Sequence, residues 1–144
     1  MEQLQPFTTA VGVFVHDPLS KVQQISRYCR LSAVQLQGDD SNDNCQSLPV
    51  PAIKGFHIGN TLDVDAINAY QVAANLLDTH VPGLRGGAGK AFGWGLLRNR
   101  YFARPLIVAG GLHAGNVEQL LRLCTPSSVD TSSSVALSAR HQDS

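Results

Sequence analysis

The 144-residue sequence is short of several things, and each shortage excludes a class of protein. It holds three cysteines, Cys29, Cys45 and Cys124, widely spaced and with no Cys-x-x-Cys pair. That argues against a disulfide framework and a thiolate zinc site, and for a reducing cytoplasm. It has no excess of either charge, because 11 lysines plus arginines balance 11 aspartates plus glutamates. No global field then draws the chain to nucleic acid or an acidic membrane, so an anionic substrate has to be held by local groups. No apolar run approaches the ~20 residues that span a bilayer. Met1 to Thr9 has neither the basic nor the apolar segment of a secretory signal. With 43% hydrophobic and 15% charged residues the balance is globular rather than disordered. The expectation is one soluble cytoplasmic domain over 1–144, with 1–10 as a lead-in and 132–144 as a serine-rich irregular tail.

What is present is a regular alternation. Short β-rich runs start near residues 11, 33, 52, 74, 105 and 127. Val11 to Val15, Ala33 to Gln37, Ala52 to Phe56, Ala74 to Asp78, Pro105 to Ala109 and Ser128 to Thr131 read as strands. Between them, Leu19, Val22, Ile25 and Cys29 recur at helical spacing behind Pro18. Ser41 suits the cap of a short helix carrying Cys45, and Val64, Ile67 and Ala69 suggest a weak one. After the fifth strand, Val117, Leu120, Leu121 and Cys124 fall on one helical face. Such alternation implies parallel βαβ units, whose strands all end on one side. That side would collect Gln37, Asp78, Gly110, Gly111 and Asp130. The glycines cluster late in the chain, which favours a barrel over a doubly wound sheet with an early phosphate loop.

The longest stretch between strands follows Asp78 and contains Gly-Gly-Ala-Gly-Lys. It is not a nucleotide-triphosphate loop: Leu84 stands five before Gly89, and Ala91 follows Lys90 where a hydroxyl residue is required. Asp78 ends an apolar strand, so its carboxyl is partly desolvated and suits proton transfer. It equally suits a cap of the following turn. Gly110, Gly111 and Asn116 at a helix start offer N–H groups to an anion, and Ser132 and Ser133 add hydroxyls. Each is also an ordinary turn, but finding both in adjacent late units favours phosphate. His16, His57, His80 and His113 lie at or after strand ends and read as solvated loop histidines.

The segments Val11 to Val15, Ala33 to Gly38, Asn75 to Trp94, Pro105 to Leu112 with Asn116-Val117, and Val129 to Ser133 resemble the phosphoribosylanthranilate isomerase family of tryptophan biosynthesis. They occur in that family's order and spacing. The resemblance implies an α/β fold of (β/α)8 TIM-barrel type, and an Amadori rearrangement of an aminoaldose to an aminoketose. It implies phosphoribosyl anthranilate as substrate and neither metal nor cofactor. Asp78 matches the family's general acid. Gly110, Gly111, Ser132 and Ser133 match its phosphate loops and Asp130 an aspartate near the sugar hydroxyls, while Gln37, expected to bind substrate, stands where the family has histidine in Val-Gln-Leu-His-Gly.

The departures are as specific. The family's base is a cysteine in a Lys-x-Cys-Gly motif, which is absent here, as is a substrate-binding arginine. Gly93 replaces an aspartate before Trp94, and Ser134 and Ala136 replace a glycine and a glutamate. The barrel is therefore expected to be incomplete, with about six βα units visible and the first two strands and last helix missing. Activity of the chain alone is expected to be weak or absent. The alternative expectation is a non-catalytic module that binds a sugar phosphate, or a partner through unclosed edges, which would favour self-association.

Overall fold

A computed structural model describes residues 5–79 and 94–131. Six strands run through it: β1 (Val11–Phe14), β2 (Ala33–Leu36), β3 (Ala52–His57), β4 (Ala74–Asp78), β5 (Leu106–Ala109) and β6 (Ser128–Asp130). Four helices lie between them: α1 (Leu19–Tyr28), α2 (Asn42–Gln46), α3 (Val64–Asn68) and α4 (Val117–Leu123). Among the described residues between β4 and β5 there is a 3-10 turn at Trp94–Leu97. The six expected strands are all found, with ends shifted by a residue or so.

Every pairing is parallel and the strand order is sequential, β1 to β6. A doubly wound sheet reverses direction at a switch point; this one never does, so it curls as an incomplete barrel. Side chains alternate across each strand. Phe14, Val34, Leu36 and Ala52 pack with Val22 of α1 and Cys45 of α2 in one core. Leu77, Leu106 and Val108 pack with Ile67, Trp94, Leu97 and Leu120 in another. Both cores lie on the helix side. The opposite, concave side carries Gln35, Ile53, Gly55, Leu76, Asp78, Ala109 and Asp130 by the same alternation. On β1 that side also carries Val11 and Val13, both exposed.

Local chemistry accounts for the helices. The carbonyl of Pro18 accepts from Lys21 N and Val22 N, so Pro18 is the residue before the helix rather than its first turn. Arg30, at φ 52°, ends α1 in the left-handed conformation. Leu31 N then donates to Ser26 O at 3.0 Å and Arg30 N to Arg27 O at 3.3 Å, a Schellman closure made without glycine. Ser41 caps α2 by accepting from Asn44 N at 3.1 Å, as its position suggests. Asp63 does the same for α3 with Ala66 N at 3.0 Å. In α4 the expected face is only partly right. Leu120 is buried, with Leu123 and Cys124 packed beside it, but Leu121 is 54% exposed. A rotation of about 100° per residue carries Leu121 off the face that Leu120 shares with Cys124.

Candidate active site

Because all strands are parallel, their C-terminal ends form one rim. Across that rim His57 pairs with Asp78, Asp78 with Ala109, and Ala109 with Asp130. Residues matched across parallel strands share a face, so the four form one row on the concave side. Asp78 is half-buried and Asp130 exposed. Its main chain is fixed on both sides: Ile58 N donates to Asp78 O and Thr79 N to Ala109 O, each at 2.9 Å.

Beyond β5 the chain turns through Gly110 at φ 99° and Gly111 at φ 70°, left-handed values that favour glycine. Two buried side chains hold this turn. Thr79 Oγ1 donates to Ala109 O at 3.1 Å and accepts from the Trp94 indole N–H at 3.0 Å. Asn116, 5% exposed, donates from Nδ2 to Gly111 O at 2.8 Å and accepts at Oδ1 from His113 N at 2.9 Å. Asn116 stands at the start of α4, as the sequence suggests. Asn116 makes no side-chain cap to α4. The first N–H groups there are also engaged, since Asn116 N and Val117 N both donate to His113 O at 3.1 and 3.0 Å. Asn116, just before α4, braces the glycine turn with its side chain. Ser132 and Ser133, the second half of the expected phosphate site, lie outside the described residues, as do His80, Gly93 and the glycine-rich loop.

On the other flank, Gln37 follows β2 and its side-chain amide occupies the space that a Cβ on Gly55 would fill. It lines a cleft of about 350 Å³ together with His16, Gly38, Lys54, His57 and Tyr70. His16 stands at φ 56° and its ring packs on Gly38, where a Cβ would come within 2.9 Å of Nδ1. His57, expected to be a solvated loop residue, instead ends β3 beside Asp78, although it is exposed.

Lys54 is the residue that sequence reading missed. It is 2% exposed, and its ammonium donates to Gly38 O at 2.6 Å and Gly55 O at 3.0 Å. The rings of Phe56 and Tyr70 lie 4.8 and 5.6 Å from it. Burial pushes its pKa below the usual lysine range, while Asp40, Cys45 and Asp39 pull it back up. The same burial raises the Cys45 thiol, against the pull of Lys54. The signal available in the sequence was a single charge inside Ala-Ile-Lys-Gly-Phe, a run otherwise fit for a buried strand.

Among the described residues no cluster of histidine, cysteine and carboxylate groups could hold a metal ion, and no helix is long and apolar enough to cross a membrane.

Three comparisons fit this geometry. The N-(5'-phosphoribosyl)anthranilate isomerase of Desulforamulus reducens is 41% identical over 134 residues, covering 93% of this chain and 64% of the relative. The crystal structure of phosphoribosyl anthranilate isomerase from Thermotoga maritima superposes with a TM-score of 0.78 at 36% identity, covering 93% of this chain and 66% of that one. A phosphoribosyl anthranilate isomerase solved with reduced 1-(o-carboxyphenylamino)-1-deoxyribulose 5-phosphate gives 0.74 at 32% identity, covering 93% and 64%. The chain thus spans just under two thirds of the curated relative's length. The family model for N-(5'-phosphoribosyl)anthranilate (PRA) isomerase matches residues 2–143, and the chain belongs to that family.

Proposed function

We propose that the rim binds phosphoribosyl anthranilate and carries the acid half of its Amadori rearrangement. Asp78 is read as the general acid, giving a proton to the ribose ring oxygen as the bond from that oxygen to the anomeric carbon breaks. The anthranilate nitrogen's lone pair then forms the Schiff base. A base removes the proton from the adjacent carbon, and the C–H electrons form the enolamine, which tautomerises to the 1-deoxyribulose 5-phosphate product. The hydrogen shift is internal to the substrate, so no redox cofactor is called for. Asp130 is assigned to the sugar hydroxyls, Gly110, Gly111, Ser132 and Ser133 to the phosphate, and Gln37 to a further substrate contact.

The observation that carries this reading is the register row. It puts Asp78 and Asp130 on one face with Ala109 between them, next to a glycine turn in left-handed conformation. The family's Lys-x-Cys-Gly base motif does not occur in the sequence. General acid–base groups are each worth ~100- to 10,000-fold, so the chain alone is assigned weak or no turnover. The reading also places the protein in the cytoplasm, and assigns β1, with Val11 and Val13 exposed, as an edge for self-association.

Complementation of a tryptophan auxotroph lacking this isomerase, with direct assay of purified protein, tests the reading. Little or no rescue is expected from the chain alone, and none from Asp78→Asn. Turnover that persists undiminished in Asp78→Asn would remove Asp78 from the reaction.

A further inference from the structure

We propose that Lys54 is a positioning residue for this site, fixing the turn after β2 so that the Gln37 amide stays on the concave rim. The inference rests on the reading of Gln37 as a substrate contact. A charged side chain at 2% exposure is costly unless it is paired or hydrogen-bonded. Lys54 is hydrogen-bonded to two carbonyls and faced by two aromatic rings, with the Asp40 and Asp39 charges near enough to favour its ammonium. The two carbonyls belong to Gly38 and Gly55, the first adjoining Gln37 in the chain and the second lying beneath its amide. One ammonium therefore ties together the backbone behind Gln37 and the floor under its head.

Other bonds secure the same turn and leave Lys54 the part nearest the cleft. Tyr70, whose ring faces the ammonium, donates from its hydroxyl to Asp40 O at 3.0 Å. Gln71 N donates to Asn42 Oδ1 at 2.8 Å. The turn is thus held against the segment that leads into β4, Gln37 N donates to Phe14 O at 2.9 Å, and Lys54 adds the side-chain tie from β3 to the carbonyl that follows Gln37. Lys54 leaves β3 on the helix side and reaches the wall of the cleft, where its ammonium is engaged by the two carbonyls, so it acts by holding the backbone around Gln37.

Two measurements on the full chain decide it. The first needs no ligand: the side-chain amide resonances of Gln37 in ¹⁵N-correlated NMR spectra of wild type and Lys54→Met. Resolved amide protons in wild type should collapse towards the positions of a freely rotating glutamine in the variant, while the Trp94 indole resonance stays put. Unchanged Gln37 signals overturn the proposal. The second is titration with reduced 1-(o-carboxyphenylamino)-1-deoxyribulose 5-phosphate. Lys54→Met should bind at least tenfold more weakly than wild type, and add less than twofold to the loss caused by Gln37→Ala. A full additional loss on the Gln37→Ala background would mean that Lys54 acts elsewhere. If wild type fails to bind, the substrate reading falls, and the NMR result alone still decides the positioning role. Should Lys54→Met not fold, Lys54→Gln, which keeps a donor and loses the charge, is read in the same two ways.

Discussion

The side-chain amide of Gln37 lies where a Cβ on Gly55 would have to stand. The contact is between two strands, and only a residue without a side chain allows it. Gly55→Ala should therefore move Gln37 rather than unfold the protein, because the obstructing group is the far end of a flexible side chain. We expect a melting temperature within a few degrees of wild type and a clear loss of affinity for the reduced product analogue. Unchanged affinity would show that Gln37 is not needed at that spot.

Asn116 gives a second prediction. Its two hydrogen bonds, to His113 N and Gly111 O, are made by a side chain 5% exposed. Asn116→Ala removes both of these part-buried hydrogen bonds, at a cost of about 1–3 kcal/mol. Chemical denaturation measures that loss directly. A merely capping residue would lose helix content in α4; a brace of the glycine turn should loosen Gly110 and Gly111, seen as faster amide exchange there.

Asn75 points the other way. It is fully buried on β4, and among the described residues its side-chain Oδ1 and Nδ2 have no hydrogen-bond partner. Its ladder neighbours are Lys54 and Leu106. Asn75→Leu replaces the unsatisfied amide by an apolar group of the same branching, and should stabilise the protein by about 1–3 kcal/mol where the core takes up the two methyls. A destabilised variant would reveal a partner for that amide.

The fold was legible because its signals are periodic. Leu36 and Val34 alternate into the core, Val22 and Ile25 recur at helical spacing, and Asp78 stops an apolar run. The positions of Gln37, Asp78, Gly110, Gly111 and Asp130 were legible because strand ends announce them. The side-chain roles of Lys54 and Asn116 were missed for one physical reason. Each acts through contacts with residues of another turn or strand, and single-chain spacing carries no trace of a hydrogen bond to Gly38 O or Gly111 O. Leu121 shows the smaller failure, in which an apolar residue one step off a helical face was counted onto it.

Alkaline pH should separate Lys54 from its surroundings. Burial lowers its folded-state pKa below the ordinary 10.5. Between the lowered value and 10.5 the unfolded chain holds more protons, so Lys54 makes stability rise with pH in that window. Cys45, Cys124 and Tyr70 are raised above 9.0, 9.0 and 10.0, so they make stability fall with pH there, and Cys45 does so more in the variant, which lacks the Lys54 charge that lowers it. The melting temperature of Lys54→Met minus that of wild type should therefore decrease as pH rises from neutral towards 10.5. A difference that stays constant would mean that the ammonium is not desolvated.

The most direct test is a calorimetric titration of the purified chain with reduced 1-(o-carboxyphenylamino)-1-deoxyribulose 5-phosphate, beside Gly111→Val. Gly111 stands at φ 70°, a conformation valine rarely adopts, so the substitution deforms the proposed phosphate turn. Saturable one-to-one binding by wild type, weakened at least tenfold in Gly111→Val, is the expected result. No binding by wild type, or equal binding by a folded Gly111→Val, would contradict a sugar-phosphate site on this rim.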